Sequence, residues 1–252
     1  MLPFGTRSLR RERAIVLAVI AVLIAGAWTY LFALTAAMGN AGSILAMPMG
    51  AHWSLRDWAY MAVMWTVMMV GMMLPSASPM ILAYRHFEAG PRSTPAFTAG
   101  YVIAWTVFSV AATGLQWGLR NLGIIDWHGV ATSPLTAGGL LALAGVFQFT
   151  PLKESCLTQC RTPMAFLMTQ WRPGRRGALV MGLRHGLSCI GCCWALMLLL
   201  FAFGVMNLMW VAILAAFLLV EKAFPAARVT TRLAGAAAVV WGVLLIAPGL
   251  LG

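Results

Sequence analysis

One apolar segment decides the class of fold: 178-ALVMGLRHGLSCIGCCWALMLLLFAF-203. As a helix it is long enough to cross a bilayer, which takes about 20 mostly apolar residues. The segment nevertheless contains an arginine, a histidine and three cysteines. Ionisable side chains within a membrane span are costly and are usually functional. The sequence therefore predicts a membrane-spanning helix that carries a chemical site.

The whole chain has the composition of an integral membrane protein. Its 252 residues are 62% hydrophobic and only 9% charged, whereas soluble domains are usually about 25% charged. We predict an all-α polytopic transmembrane helix bundle with about seven spans, or six if one of the two short segments does not cross. The predicted spans are Ala14–Met38, Trp58–Leu82, Ala96–Leu119, Pro134–Thr150, Ala178–Phe203, Met206–Val220 and Leu233–Leu250.

The basic residues predict how the bundle is oriented. If the N-terminal 7-RSLRRER-13 is cytoplasmic and the spans alternate, only Arg56 and Arg120 of the 17 Lys and Arg residues lie outside. Cytoplasmic loops are enriched in Lys and Arg. We therefore expect a cytoplasmic N-terminus over residues 1–13. The net charge of +11 is then a topology signal, and we expect no nucleic-acid partner.

The remaining residues, 14–252, are predicted to form a single transmembrane helical domain. Its longest inner connection contains 163-PMAFLMTQW-171, with Pro163 at one end and 173-PG-174 beyond the other. Proline favours helix starts, and Pro-Gly pairs mark helix ends. We predict a short interfacial helix near residues 163–171.

The reactive side chains of the opening segment follow a four-residue interval. Residues four apart lie one above the other on a helix, so they form a single stripe. Two further cysteines at the inner end of span four repeat this interval. The predicted metal ligands are Met181, His185, Cys189, Cys192, Cys193 and Met197 in span five, with Cys156 and Cys160. Thiolate, thioether and imidazole groups select Cu(I) or zinc over magnesium or calcium.

The predicted topology places all five cysteines on the inner, reducing side of the membrane. Structural disulfides are rare in such compartments, so we expect free thiols. The alternative interpretation is that the cysteines are small hydrophobic residues that fill the helix interface.

A methionine-rich segment of span two leads towards the same inner end: 61-MAVMWTVMMVGMMLPSASPM-80. Met72 and Met73 are predicted as further ligands, because thioethers bind Cu(I) without adding charge. The alternative is that methionine only fills gaps in helix packing. The predicted outer capture group consists of Met47, Met49 and His52.

Glu221 and Lys222 follow the apolar part of span six. One interpretation is that they mark the inner membrane boundary and pair with each other or with lipid. The other is that Glu221 supports the site, either by orienting His185 or by relaying a proton as metal binds.

Four blocks of sequence, in this order and spacing, carry a resemblance: 72-MMLPSASPM-80, 153-KESCLTQCRTP-163, 182-GLRHGLSCIGCCWALM-197 and 220-VEKAFP-225. They resemble a group of bacterial integral membrane proteins described as predicted metal-binding and sometimes labelled copper chaperone. The resemblance covers about Trp58 to Pro225 and leaves the first and last spans outside. It implies a metal-binding membrane protein whose ligands are the cysteines and histidine above, with Met72, Met73 and Glu221 as neighbours.

Our leading hypothesis is a bacterial inner-membrane protein that handles a soft metal, foremost Cu(I), with zinc and heme as alternatives. It would act in chaperoning, delivery or transport through a Cys/His/Met site in the cytoplasmic half of the bundle. Its partners would be the lipid bilayer, the metal ion, and a metal donor or acceptor protein or a larger membrane complex. We do not expect an enzyme. Two other classes stay open: a membrane oxidoreductase that uses heme or thiol–quinone exchange, and a structural subunit of a larger complex.

Overall fold

The computed structural model describes residues 4–37, 53–87, 93–224 and 228–251. These residues form helices and no strand, which confirms the all-α prediction. The helices are α1 (Phe4–Ala37), α2 (Leu55–Phe87), α3 (Ser93–Asn121), α4 (Pro134–Phe147), α5 (Pro151–Arg161), α6 (Pro163–Gln170), α7 (Gly174–Leu198), α8 (Leu200–Phe203), α9 (Leu208–Ala223) and α10 (Arg228–Leu251). The predicted outer capture group, Met47, Met49 and His52, lies outside the described residues.

Five helical segments of the described chain are long and apolar enough to cross a membrane. They are Arg11–Ala37, Leu55–Phe87, Ser93–Asn121, Gly174–Phe203 and Arg228–Pro248. The pair formed by α4 and α5 adds a sixth if it is counted as one broken span. The sixth predicted span corresponds to α9, which has only 16 residues. The predicted count of seven is therefore not confirmed.

The fourth predicted span is bent by 65° between α4 and α5. Pro151 begins α5, and proline is tolerated in the first helical turn because its missing N–H has no partner there in any case. The Thr150 hydroxyl caps the new helix by accepting a hydrogen bond from the Lys153 amide at 3.3 Å. The bend directs α5 against α7, and it brings the second pair of cysteines to the reactive face of span five.

The connection from α5 to α7 contains α6, which spans Pro163–Gln170. It lies in the segment where the sequence predicts a short helix. That α6 rests on a membrane surface remains a prediction. Gly174 then begins α7 with a φ of +77°, a conformation that favours glycine.

Glycines let two helix pairs approach until their backbones touch. On α7, a Cβ at Gly182 would overlap the Phe97 carbonyl of α3, and a Cβ at Gly186 would lie 2.5 Å from Ala104 Cβ. On α4, a Cβ at Gly145 would lie 2.7 Å from the Gly235 carbonyl oxygen of α10. Small residues at such crossings are typical of membrane helices, whose association depends on close packing.

Helix α2 lies at the centre of the bundle and contacts α1, α3 and α9. It continues through Pro75 and Pro79 without a break. Pro79 cannot donate to the Pro75 carbonyl, but the Ser78 hydroxyl does so at 2.7 Å. All seven methionines between residues 61 and 80 are buried, at no more than 1% exposure, so this segment forms part of the bundle core.

Candidate metal-binding site

The predicted ligand stripe of α7 faces the interior of the bundle. Its members, Met181, His185, Cys189, Cys192, Cys193 and Met197, are each at most 2% exposed. Leu187, on another face of the same helix, is 57% exposed. The four-residue spacing therefore identified the buried face of α7, as the helical period requires.

Cys189 lies where three helices meet α7. The Lys222 Nζ of α9 donates a hydrogen bond to Cys189 Sγ at 2.9 Å. The Tyr101 hydroxyl of α3 lies 3.2 Å from the same sulfur and also 3.2 Å from the Met73 carbonyl oxygen of α2, to which it donates. A buried polar group needs such partners, because leaving it unpaired is costly.

Three other thiols, those of Cys160, Cys192 and Cys193, neighbour Cys189, and all five cysteines are free. Cys192 Sγ and Cys193 Sγ donate to the Cys189 carbonyl oxygen at 3.0 and 2.9 Å. On α5, Cys160 is a neighbour of the Cys189 and Cys192 thiols. Cys156 Sγ packs against Gly191, where an added Cβ would lie 2.7 Å away. The bundle thus brings the cysteine pair of α5 against the three cysteines of α7.

The predicted methionines differ in how close they lie to this centre. Met73 Sδ is 3.9 Å from Lys222 Nζ, beside the Cys189 thiol. Met181 Sδ accepts a hydrogen bond from the Arg172 amide at 3.3 Å, so it contacts the connection before α7. Met72 and Met197 are buried in the same core. Of the four, Met73 is therefore the thioether with a described contact at the centre.

His185 sits in an aromatic cage one turn from Cys189. Its ring stacks on Tyr101 with centroids 5.5 Å apart, and it meets Phe166 edge-on at 5.6 Å. His185 Nδ1 is buried and has no hydrogen-bond partner among the described residues. An unpaired imidazole nitrogen at this position is chemically competent to bind a soft metal.

Glu221 belongs to a second polar cluster next to the thiols. Its Oε1 forms an ion pair with Lys153 Nζ at 2.7 Å and accepts from the Thr231 hydroxyl at 2.8 Å. Arg161 Nε donates to the Glu221 carbonyl oxygen at 2.8 Å. The residue of this sequence block that contacts Cys189 is Lys222, the neighbour of Glu221.

Three polar residues at the centre were not among the predicted site residues: Tyr101, Ser76 and Lys222. Ser76 Oγ lies 3.3 Å from Lys222 Nζ. Lys222 had a visible signal, a basic residue at the end of an apolar span, but that signal is equally typical of a membrane boundary. Tyr101 is a single tyrosine within the apolar α3 and carries no pattern of its own.

Within the described ranges, no group of three or more His, Cys, Asp or Glu side chains is arranged to hold a metal ion. The hydrogen bonds explain this, since Cys192 and Cys193 point at a backbone carbonyl and Cys189 is held by Lys222. The donors nevertheless fit a soft cation by their chemistry, because they are thiols and a thioether shielded from water. To coordinate a metal, these thiols must exchange their present hydrogen bonds.

Comparison with known families bears directly on this cluster. A protein-family model described as PpoB2, copper chaperone, matches residues 62–245. The chain belongs to this copper chaperone family. No curated protein and no solved structure matches the chain.

The PpoB2 match confirms the resemblance inferred from the four sequence blocks and extends it. It covers all five cysteines, His185 and Lys222. It also reaches residue 245, so most of α10 lies inside the family, whereas we expected the last span to lie outside. The first helix, α1, precedes the matched region.

Proposed function

We propose that this copper chaperone family member is a bacterial inner-membrane protein that binds Cu(I) at the junction of α2, α3, α5, α7 and α9. The observation that carries the proposal is the buried Cys189 sulfur, with the buried Cys192 and Cys193 thiols directed to the carbonyl of the same residue and Cys160 of α5 as a neighbour. Thiolates are preferred ligands of Cu(I). Met73 and His185 complete a soft donor set next to the three thiols.

Proton release accompanies this binding, because cysteine coordinates metals as the thiolate. The protein supplies a compact environment in which each thiol already has a polar neighbour. Tyr101 and Lys222 both contact Cys189 Sγ and hold it at the junction of the helices. Burial keeps water and oxidants away from the three thiols of α7, and a bound soft ion would be protected in the same way.

The buried methionines of α2 support a further part of the proposal, a path along which Cu(I) reaches the thiols. Met61, Met64 and Met68 precede Met72 and Met73 on this helix, and each is at most 1% exposed. Thioethers are neutral, soft and weak donors. A row of them passes a singly charged soft ion without trapping it, which suits delivery or transport.

The test is a Cu(I) competition titration of the detergent-purified chain against a chromogenic chelator, with elemental analysis of the bound metal. We expect about one Cu(I) per chain, and loss of binding when Cys189, Cys192 and Cys193 are all changed to serine. The matched control is Ser188→Ala, a small substitution one residue away that removes only a contact with Gln159. Unchanged binding in the triple variant would refute the assignment of these thiols.

Membrane insertion and orientation form a separate part of the proposal. Five described helical segments are long and apolar enough to span a bilayer, and the Lys and Arg residues favour a cytoplasmic N-terminus. Reporter fusions test this directly. We expect a reporter placed in the α2–α3 connection to be active only on the cytoplasmic side, and one at the C-terminus only on the outer side.

A further inference from the structure

Lys222 has an unusual set of partners for a buried lysine. Its Nζ lies 2.9 Å from Cys189 Sγ, 3.3 Å from Ser76 Oγ and 3.9 Å from Met73 Sδ. The residue as a whole is only 7% exposed. A thiol, a hydroxyl and a thioether therefore surround the ammonium group.

The chain contains a second buried lysine, which shows the ordinary arrangement. Lys153 is 1% exposed, and its Nζ pairs with the Glu221 carboxylate at 2.7 Å. A buried charge is costly unless an opposite charge compensates it. Glu221 is adjacent to Lys222 in sequence, yet its carboxylate is directed to Lys153 and Thr231. The nearest of the contacts around the Lys222 ammonium is therefore the Cys189 sulfur, at 2.9 Å.

We propose that the Lys222 ammonium is a resident cation that occupies the position a metal takes, and that Cu(I) binding displaces it from Cys189. The inference rests on the proposed function and adds a competing group to it. Cu(I) and an ammonium each carry one positive charge, so they compete for the same sulfur. In the metal-free protein Lys222 occupies the Cys189 sulfur, so only a cation that binds sulfur strongly enough to displace it can enter.

This competition explains why the described thiols form no ready-made metal site. The Cys189 sulfur is directed to Lys222, and the thiols of Cys192 and Cys193 are directed to the Cys189 carbonyl. Breaking the contact between Lys222 and Cys189 frees the sulfur around which the other thiols are gathered. The cost of that step lowers the observed affinity for the metal.

The experiment measures Cu(I) affinity for the full-length wild type and for Lys222→Gln by chelator competition in detergent. We expect the variant to bind about tenfold more tightly, a difference of about 1.4 kcal/mol, because the competing charge is gone. The matched control is Arg228→Ala, which also removes a positive charge, but from an exposed pair with Glu154. Its affinity should equal that of the wild type. Equal or weaker binding by Lys222→Gln would overturn the proposal.

A second measurement needs no variant and so does not depend on the folding of one. Wild-type protein is treated with an amine-acetylating reagent with and without one equivalent of Cu(I), and peptides are analysed by mass spectrometry. We expect Cu(I) to increase acetylation of Lys222 and to leave that of Lys153 unchanged. Equal labelling of Lys222 in both samples contradicts displacement. If the wild type binds no Cu(I), the proposed function is refuted, and the displacement of Lys222 is refuted with it.

Discussion

The Lys153 ammonium and the Glu221 carboxylate form an ion pair, 2.7 Å from Nζ to Oε1, in which both side chains are at most 2% exposed. The pair joins α5, which carries Cys156 and Cys160, to α9, which carries Lys222. The Thr231 hydroxyl extends the contact to α10. The ion pair therefore fixes two of the helices that form the thiol cluster, and Lys222 has no carboxylate partner among the described residues.

Breaking this pair on one side only should strongly destabilise the protein. We expect Lys153→Met to lower the free energy of unfolding by about 3–5 kcal/mol, because it leaves the Glu221 carboxylate buried and unpaired. Denaturant unfolding in detergent, followed by circular dichroism, measures the change. The matched control is Arg228→Ala. Arg228 pairs with Glu154 at 2.8 Å, but both side chains are at least half exposed, so its loss should cost less than about 1 kcal/mol.

The crossing of α3 and α7 depends on the absence of a side chain at Gly182. A Cβ there would overlap the Phe97 carbonyl, which is backbone and cannot move alone. We expect Gly182→Ala to lower the free energy of unfolding by about 1–3 kcal/mol or more, as overpacking does. Gly118→Ala on α3 is the control, since no atom lies within 4 Å of its added Cβ. Equal stabilities of the two variants would show that the crossing is looser than described.

The sequence predicts one part of this arrangement well, namely which residues share a helix face. The four-residue interval from Met181 to Met197 is a local property of one helix, and all of its members are buried. Contacts between helices are different, because they depend on where backbones approach. Gly182 and Gly186 set the approach of α7 to α3, and only that approach brings Tyr101 to Cys189.

The bend between α4 and α5 is a second feature that the sequence does not predict. Hydropathy alone runs through Pro134–Thr150, so the segment reads as a single span. The structure ends the helix at Phe147, and Thr150 with Pro151 starts a new one. Local signals for a helix start were present at these two residues. What the sequence does not contain is the 65° angle, which determines that Cys160 reaches the α7 thiols.

Metal binding should weaken as the pH falls. Cysteine binds Cu(I) as the thiolate, so protons compete with the metal for the sulfurs. A lower pH therefore favours the thiol form and reduces the affinity. Chelator competition measured at about pH 8 and about pH 6 should show weaker binding at the lower value. Cys189→Ser should show a smaller dependence, because one proton-releasing ligand is missing. An affinity that stays constant between the two conditions would exclude thiolate ligands.

A kinetic experiment can distinguish whether the buried methionines of α2 form a path for Cu(I) or only fill the helix interface. Met64 and Met68 lie towards the opposite end of α2 from Pro75, and both are at most 1% exposed. Leucine has nearly the same volume as methionine but no sulfur, so such swaps usually cost less than about 1.5 kcal/mol in stability. We expect the double variant Met64→Leu and Met68→Leu to load Cu(I) more slowly when the protein is in sealed vesicles and the metal is added outside. Its equilibrium affinity in detergent should equal that of the wild type, because the thiols are intact.

Met209→Leu is the control, since Met209 is 62% exposed on α9. Equal loading rates for all three proteins would assign the buried methionines to packing alone.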